Sequence, residues 1–339
     1  MKLTYQPFEL ELKYPFTIAG FSRRSTPLML INISYAGFTG YGEASMVPYM
    51  GESLVTATEF LRKVDVSRFK YPFNFDEILA YLDDLSAGNP AIKAAIDIAL
   101  HDLSGKLEQK PCYQFFGSQP ENMPATTCTI GMDNPEVIIK KVREAEEFKI
   151  LKVKLGSDDD KKLVETIRSV SDLPLYVDAN QGWHDREKSL DLIYWLKDQG
   201  VVLIEQPMKK SDKAGNAWLT ERSPLKIIGD EAVQRIGDID KAAGIYHGIN
   251  IKLMKSAGMH EAYKMIVKAR NLNLGVFIGC MSETSCATLA GAALAPLCDW
   301  ADLDGPFLVK NNPYPKPAFE EGRYILSKDP GLGLTINKG

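Results

Sequence analysis

The chain is short of everything that would send it to a membrane or a nucleic acid. No run approaches the roughly 20 apolar residues a bilayer crossing requires. The start, Met1-Lys2-Leu3-Thr4-Tyr5, lacks the apolar stretch and small-residue cleavage site of a secretory signal. Positive charge is not in excess: 40 Lys and Arg stand against 44 Asp and Glu, a formal net charge of −4. Phosphate backbones and anionic lipid surfaces are therefore not favoured partners. Cysteine is scarce. The five (Cys112, Cys128, Cys280, Cys286, Cys298) are odd in number and lack paired metal-ligand spacing, which argues against a disulfide framework or zinc knuckle and fits a reducing cytoplasm. A cytoplasmic protein acting on a small molecule is expected, with no nucleic-acid or membrane partner and with a homo-oligomer left open.

What is present is patterned. With 339 residues, 45% hydrophobic and 25% charged, the chain has room for one large α/β unit and a smaller companion. Up to about Lys110 strand and helix do not alternate. Strand-like Leu28–Ser34, a turn signal at Gly37-Phe38-Thr39-Gly40 and a helical stripe of Ile92, Ala95, Ile96, Ala99, Leu100 and Leu103 describe an α+β piece, assigned to residues 1–115. From Thr126 strand and helix repeat: Thr126–Ile130, helix Pro135–Phe148, then the strand ending in Lys154. After it Ser157 is the expected N-cap, with Asp158, Asp159 and Asp160 at the positive helix end. Strands follow at Leu175–Asp178, Val201–Glu205, Lys226–Asp230, Gly248–Lys252, Leu274–Gly279 and Trp300–Asp304. Eight strands in about 180 residues favour a closed parallel barrel over residues 120–308, although spacing alone does not exclude an open sheet. The Pro- and Gly-rich tail, 309–339, is expected to return to the first unit.

Ile150-Leu151-Lys152-Val153-Lys154-Leu155-Gly156 organises the rest. Strand alternation sends Lys152 and Lys154 to one face, and two ammonium groups there call for anions opposite. Asp178, Glu205 and Asp230 supply them, each ending an apolar run one βα unit after the last, so they converge at one barrel mouth. Three carboxylates so close repel unless a cation joins them, and hard oxygens without neighbouring His or Cys favour Mg2+, with Mn2+ as a substitute. A dication can hold a substrate carboxylate as its enediolate, acidifying the adjacent carbon for a side-chain base. Lys154 and Lys252 come from strands about four βα units apart and so face each other across the mouth. Two bases on opposite sides of one carbon can take a proton from one face and return it to the other. The plainer alternatives are an exposed lysine edge and acids serving as helix caps.

In this order the motifs resemble the enolase superfamily. They are Gly42-Glu43-Ala44, Gly51-Glu52-Ser53, Ala95-Ile96-Asp97-Ile98-Ala99-Leu100-His101-Asp102-Leu103, Lys-Val-Lys, Asp178-Ala179-Asn180-Gln181-Gly182-Trp183, Glu205-Gln206-Pro207, Gly229-Asp230-Glu231, Asn250-Ile251-Lys252 and Asp302-Leu303-Asp304-Gly305. The match is to the muconate-lactonizing subgroup, and within it to dipeptide epimerases of the L-Ala-D/L-Glu kind. It implies a modified TIM barrel of the (β/α)7β type, capped by an α+β domain built from the N-terminal region and the tail. It further implies magnesium on Asp178, Glu205 and Asp230, and acid/base roles for Lys154 and Lys252. Lys152 is implied to neutralise the substrate carboxylate, with Thr129, Asn180 and the Cys280-Met281-Ser282 backbone lining the pocket. A role in cell-wall peptide recycling is likewise only implied. Glu283 is left between tuning a lysine and an outward ion pair.

Asp302 and Asp304, two apart on the last strand, are expected to point together into the mouth, where paired carboxylates suit a free ammonium several bonds from the metal-bound carboxylate. That describes a dipeptide, and it disfavours cycloisomerases and o-succinylbenzoate synthases, whose substrates lack the ammonium. No His lies in Leu274–Cys280, which disfavours relatives using a histidine base there. Arg23 and Arg24, in the expected capping loop, are candidates to read a Glu side chain. Related epimerases carry that arginine a few positions earlier, so other or hydrophobic dipeptides stay open. A non-catalytic barrel that binds an acidic ligand is the rival of a different class.

Overall fold

The computed structural model describes residues 1–18, 21–47 and 50–334. Two long strands, β1 (Lys2–Ile18) and β2 (Phe21–Tyr35), and a shorter β3 (Phe38–Ser45) form an antiparallel sheet in sequential order. The turn between β2 and β3 sits at Ala36-Gly37, one residue ahead of the expected tetrapeptide. Both residues have positive φ, 48° and 85°, the pairing that matches the twist of a two-residue hairpin. Helices α1 (Leu54–Leu61), α2 (Phe75–Leu85) and α3 (Pro90–Glu108) complete this unit.

α3 does not present one apolar stripe. Fifteen of its residues are buried, including Lys93, Asp97, His101 and Asp102, because it lies between the sheet and the barrel. Most of its charged groups have structural partners. Asp97 accepts from the amide of His260 at 3.3 Å and from that of Met259, capping a barrel helix, and Asp102 accepts from Tyr41 N (2.9 Å) and Leu332 N (2.8 Å). In Gly51-Glu52-Ser53, the Glu52 carboxylate takes the amides of Ala91 and Ile92 at the start of α3. These motif residues join elements. On β3, Gly40 and Gly42 face α3 so closely that a Cβ would lie 2.0 Å from Ala99 O and 1.9 Å from Ala95 O respectively.

The barrel runs β4 (Cys128–Ile130), α4 (Pro135–Glu144), β5 (Leu151–Lys154), α5 (Asp160–Arg168), β6 (Leu175–Asp178), α6 (Arg186–Asp198), β7 (Val201–Glu205), α7 (Lys213–Arg222), β8 (Lys226–Gly229), α8 (Ile239–Ala242), β9 (Gly248–Lys252), α9 (Met259–Asn271), β10 (Gly275–Gly279), α10 (Ser285–Leu294) and β11 (Trp300–Asp302). The eight strands are parallel and sequentially ordered, and a bridge from Thr126 to Ala301 links the two ends of the sheet. Seven helices separate them, and a four-residue turn of helix, α11 (Gly305–Leu308), stands where an eighth would be. The expected (β/α)7β barrel with an α+β cap is the observed fold. The last strand ends at Asp302, so Asp304 lies beyond it. Ser157 is not the cap of α5. Asp159 holds the N-cap position, and Asp160 folds back to accept from Gly156 N, Ser157 N and Trp183 Nε1.

Inside the barrel the two-residue period sorts chemistry by height. Tyr176, Leu203, Ile228 and Phe277 pack together as an apolar plug. Two residues further along the chain stand Asp178, Glu205, Asp230, just past the end of β8, and Gly279, so the charged layer rests on an apolar one. The tail touches both units: Lys310 N bonds Glu11 O, Thr126 N bonds Gly322 O, a short hairpin pairs β12 (Phe319–Glu320) with β13 (Arg323–Tyr324), and Leu332 reaches Asp102. All five cysteines are buried and free, and among the described residues no helix is long and apolar enough to cross a membrane.

The contact of β3 with α3 makes a specific prediction. Gly42→Ala should cost about 3 kcal/mol or more, since its methyl has only helix backbone to push against. Chemical denaturation should show this as a lowered midpoint with unchanged slope.

Candidate active site

Strand register sets the functional side chains level with one another. Lys154 pairs with Asp178 and Asp178 with Glu205, while Lys252 and Asp302 both pair with Gly279. Asp178, Glu205 and Asp230 each offer an oxygen within 4.8 Å of the others, and all three are buried. Lys154 and Lys252, on strands four apart in an eight-stranded barrel, approach from opposite sides. Lys154 Nζ lies 2.6 Å from Asp178 Oδ2, and Lys252 Nζ lies 2.6 Å from Asp230 Oδ2.

Electrostatics reflects this alternation of sign. Burial alone would raise Asp178 and Asp230, but Lys154 and Lys152 beside the first, and Lys252 and Lys255 beside the second, carry both below the ordinary carboxylate range. Glu205 goes the other way, to about 8, through burial and the neighbouring Asp178. Three buried carboxylates, all oxygen donors with no His or Cys among them, one of them held up by its neighbours, fit a hard divalent cation such as Mg2+.

Lys152 is set lower. Its ammonium lies 2.6 Å from Glu205 Oε2, 2.8 Å from Asp302 Oδ2 and 3.4 Å from Asp178 Oδ2, over the Phe277 ring at 5.4 Å. Burial opposes its charge, yet the three acids hold its pKa well above the usual lysine value.

A cavity of about 60 Å³ opens above this layer. Its walls include Thr129, Lys154, Asn180, Lys252, Cys280, Met281, Ser282, Asp302, Asp304 and Arg23, so the expected lining residues meet there. Lys152 does not line it. Asp302 accepts from Thr127 Oγ1 (2.5 Å), and Asp304 accepts from Thr129 N (2.6 Å). Burial, then the charge of Asp302, pushes Asp304 to about 7, so a cation brought against the pair is favoured.

Arg23 and Arg24 lie on β2 and not in a loop. Arg23 donates to Ser282 Oγ at 2.8 Å and stacks over Phe16, whereas Arg24 is exposed and does not line this cavity. Successive residues on an extended strand face opposite ways, which separates the pair. Glu283 is buried and accepts from Met281 N (2.9 Å), so the outward ion pair is not formed.

Other members of the site went unread in the sequence. Asn250 Nδ2 donates to Glu205 Oε1 at 2.7 Å, a role its alternation with Lys252 could have suggested. Lys255 bonds Asp230 through Oδ1 (2.5 Å) and through its carbonyl (2.7 Å). Phe16, Met50 and Leu308 close the cavity, and no local pattern marks them.

Comparison with known proteins is consistent with this geometry. Residues 3–117 match the family model of the mandelate racemase / muconate lactonizing enzyme N-terminal domain, and residues 137–339 match the enolase C-terminal domain-like model. The chain is 50% identical over 335 residues to an L-Ala-D/L-Glu epimerase of Bacteroides thetaiotaomicron, covering 98% of this chain and 88% of that one. It is 36% identical to an L-Ala-D/L-amino acid epimerase of Pedosphaera parvula, covering 99% of each. Among solved structures, a dipeptide epimerase from Enterococcus faecalis complexed with Mg and L-Leu-L-Tyr superposes with a TM-score of 0.91 at 32% identity, covering 98% of each chain.

Titration calorimetry tests the carboxylate cluster directly. The protein should bind Mg2+, and Asp178→Asn, Glu205→Gln or Asp230→Asn should each weaken binding at least about tenfold. Asn250→Leu, which removes only the group orienting Glu205, should cost about tenfold.

Proposed function

The chain belongs to the mandelate racemase/muconate lactonizing branch of the enolase superfamily, and from that premise we propose that it is an isomerase epimerising a dipeptide at the α-carbon of its C-terminal residue. The observation that carries the reading is the placement of Lys154 and Lys252 on opposing strands, flanking one cluster of acids. In this reading Asp178, Glu205 and Asp230 would hold Mg2+, which would supply positive charge to offset the negative charge developing on the substrate carboxylate. Lys154 and Lys252 stand on the two faces of the α-carbon, one removing its proton and the other supplying the replacement. Lys152, charged and immobile beneath them, offsets the negative charge that develops above. Asp302 and Asp304 receive the terminal ammonium, and the plug of Tyr176, Leu203, Ile228 and Phe277 keeps water from reaching the lysines from below.

For the C-terminal side chain, Arg23 is a cation at the pocket wall that comes from the N-terminal sheet, apart from the barrel lysines, and supports an acidic residue such as Glu. A second reading concerns the N-terminal side chain. Beside the catalytic cavity lies another of about 140 Å³, sharing Phe16, Thr129, Ser282 and Leu308 with it and floored by Ile130, Phe148 and Phe307. Thr129 is the residue that bonds Asp304, so this chamber adjoins the ammonium end. It gives room for a side chain larger than that of Ala, apolar against Ile130, Phe148 and Phe307 and reaching Lys13, Lys141, Glu144, Glu147 and Lys316 at its charged edge.

Incubation of L-Ala-L-Glu with protein and Mg2+ in heavy water should place deuterium on the Glu α-carbon. Lys154→Ala and Lys252→Ala should each abolish epimerisation with an unchanged circular dichroism spectrum, and near-normal turnover in either refutes the two-base scheme. Asp302→Asn should lose dipeptide affinity while keeping Mg2+ affinity.

Side-chain preference is read separately. Arg23→Met should lower kcat/KM for L-Ala-L-Glu by about tenfold or more relative to L-Ala-L-Leu. Ile130→Phe, which narrows the chamber, should penalise L-Leu-L-Glu more than L-Ala-L-Glu. Equal effects on both substrates would remove the chamber from the binding site.

A further inference from the structure

One buried acid pair is not used by the proton-transfer scheme. Along β3, Gly40 and Gly42 face α3, and alternation turns Glu43 and Ser45 the other way, toward the barrel. Glu43 is fully buried and accepts from Thr284 N at 2.8 Å and from the Thr284 hydroxyl. Ser45 Oγ donates to the Ser282 carbonyl at 2.6 Å, and Ser45 N meets Met254 Sδ at 3.3 Å. Between these contacts Glu283 accepts from Met281 N. The wall of the cavity beside Asp304, from Cys280 to Thr284, is thus held through its backbone by a strand of the other unit.

We infer that Glu43 and Ser45 are positioning residues: they set where the Met281-Ser282 backbone lies against the substrate, and Glu43 does so only while it and Glu283 do not both carry charge. The substrate in this inference rests on the proposed function; the position of the wall does not.

Two carboxylates enclosed together cannot both ionise cheaply. Burial pushes Glu43 up to about 7, and burial followed by the charge of Glu43 pushes Glu283 to about 8. Lys252 and Asp302 also act on Glu283, and Cys286, Tyr314, Cys280 and Tyr324 surround the pair. Burial holds those thiols and phenols neutral, so they add no charge in this range. Both acids sit above their ordinary value of 4.5, so folding favours the protonated forms. The contribution is full below about 4.5, declines as pH rises, and is lost as pH passes through 7 to 8. Substrate affinity should weaken over the upper part of that window, as the second charge appears beside the wall.

The test follows KM and kcat for L-Ala-L-Glu from about pH 6.5 to 9, together with hydrogen exchange of the 281–284 amides in the substrate-free protein. Ionisation of Asp304, at about 7, strengthens the hold on the ammonium over the same range, so the profile is read against Glu43→Gln: KM should climb about tenfold more in the wild type than in that variant. Glu43→Gln keeps an acceptor for Thr284 N without a charge, so it should hold the low-pH KM and abolish that extra climb. Glu43→Ala and Ser45→Ala should raise KM about tenfold at every pH with kcat within about twofold, the pattern of lost uniform binding. Exchange over 281–284 should quicken in the alanine variants and not in Glu43→Gln. A wild-type pH profile in Glu43→Gln, or unchanged exchange in both alanine variants, overturns the inference. If the wild type epimerises no dipeptide, the proposed function fails and the exchange measurement alone decides this one. If Glu43→Ala does not fold, Ser45→Ala and Glu43→Gln carry the test.

Discussion

The structure depends on keeping many charges dry in a small volume. Lys152, Lys154, Lys252 and Lys255 meet Asp178, Glu205, Asp230 and Asp302 at the barrel mouth, all of them buried. Removing such groups from water costs several kcal/mol each, and the cost is met only if every ammonium is paired with a carboxylate. The barrel achieves this by register. Neighbouring strands put opposite signs side by side, as at Lys154 and Asp178, and the bonds from Asn250 and Lys255 fix the acids from behind. The arrangement is held poised by its surroundings, which is what chemistry on a carbon acid requires.

Much of this was legible in the sequence because the barrel repeats one rule. Strands β6, β7 and β9 have the expected bounds, since each acid or lysine ends an apolar run and the side-chain period is two. The same rule placed Lys152 beside Lys154 and, applied to Arg23 and Arg24, parts them. What was illegible involves contact between distant segments. Thr127 meets Asp302 across 175 residues, and Phe16 and Leu308 close the pocket from opposite ends of the chain. Local helix signals also misled where a charged side chain had a tertiary partner. Asp160 looked like one of three dipole acids near a Ser cap, yet it serves Gly156, Ser157 and Trp183. In α3 the apolar members were legible, but the burial of Asp97 and His101 between them was not, because their partners lie on other elements.

The two units divide the work unequally. Every group in the charged layer comes from the barrel, whereas the N-terminal sheet contributes Phe16 and Arg23 to the walls and Glu43 and Ser45 to the support of the 280–284 segment. The cavity is thereby walled by both parts of one chain, while its charged floor belongs to the barrel alone. The resemblance motifs within the N-terminal unit, Gly-Glu-Ala and Asp97 to Asp102 among them, are fastenings between the parts.

Those fastenings bear on ligand traffic. Asp97 of α3 is bonded to the first amides of α9, Asp102 to the returning tail, and Glu43 to the start of α10. To swing the whole N-terminal unit away from the barrel would strip two buried carboxylates, Asp97 and Glu43, of their barrel donors at once, each at a cost of about 1–3 kcal/mol or more, while Asp102 would keep Tyr41 N and Lys106 Nζ. A hinge of that kind is opposed by these bonds. Local displacement at the rim breaks none of them and is the cheaper way for molecules to enter or leave the mouth.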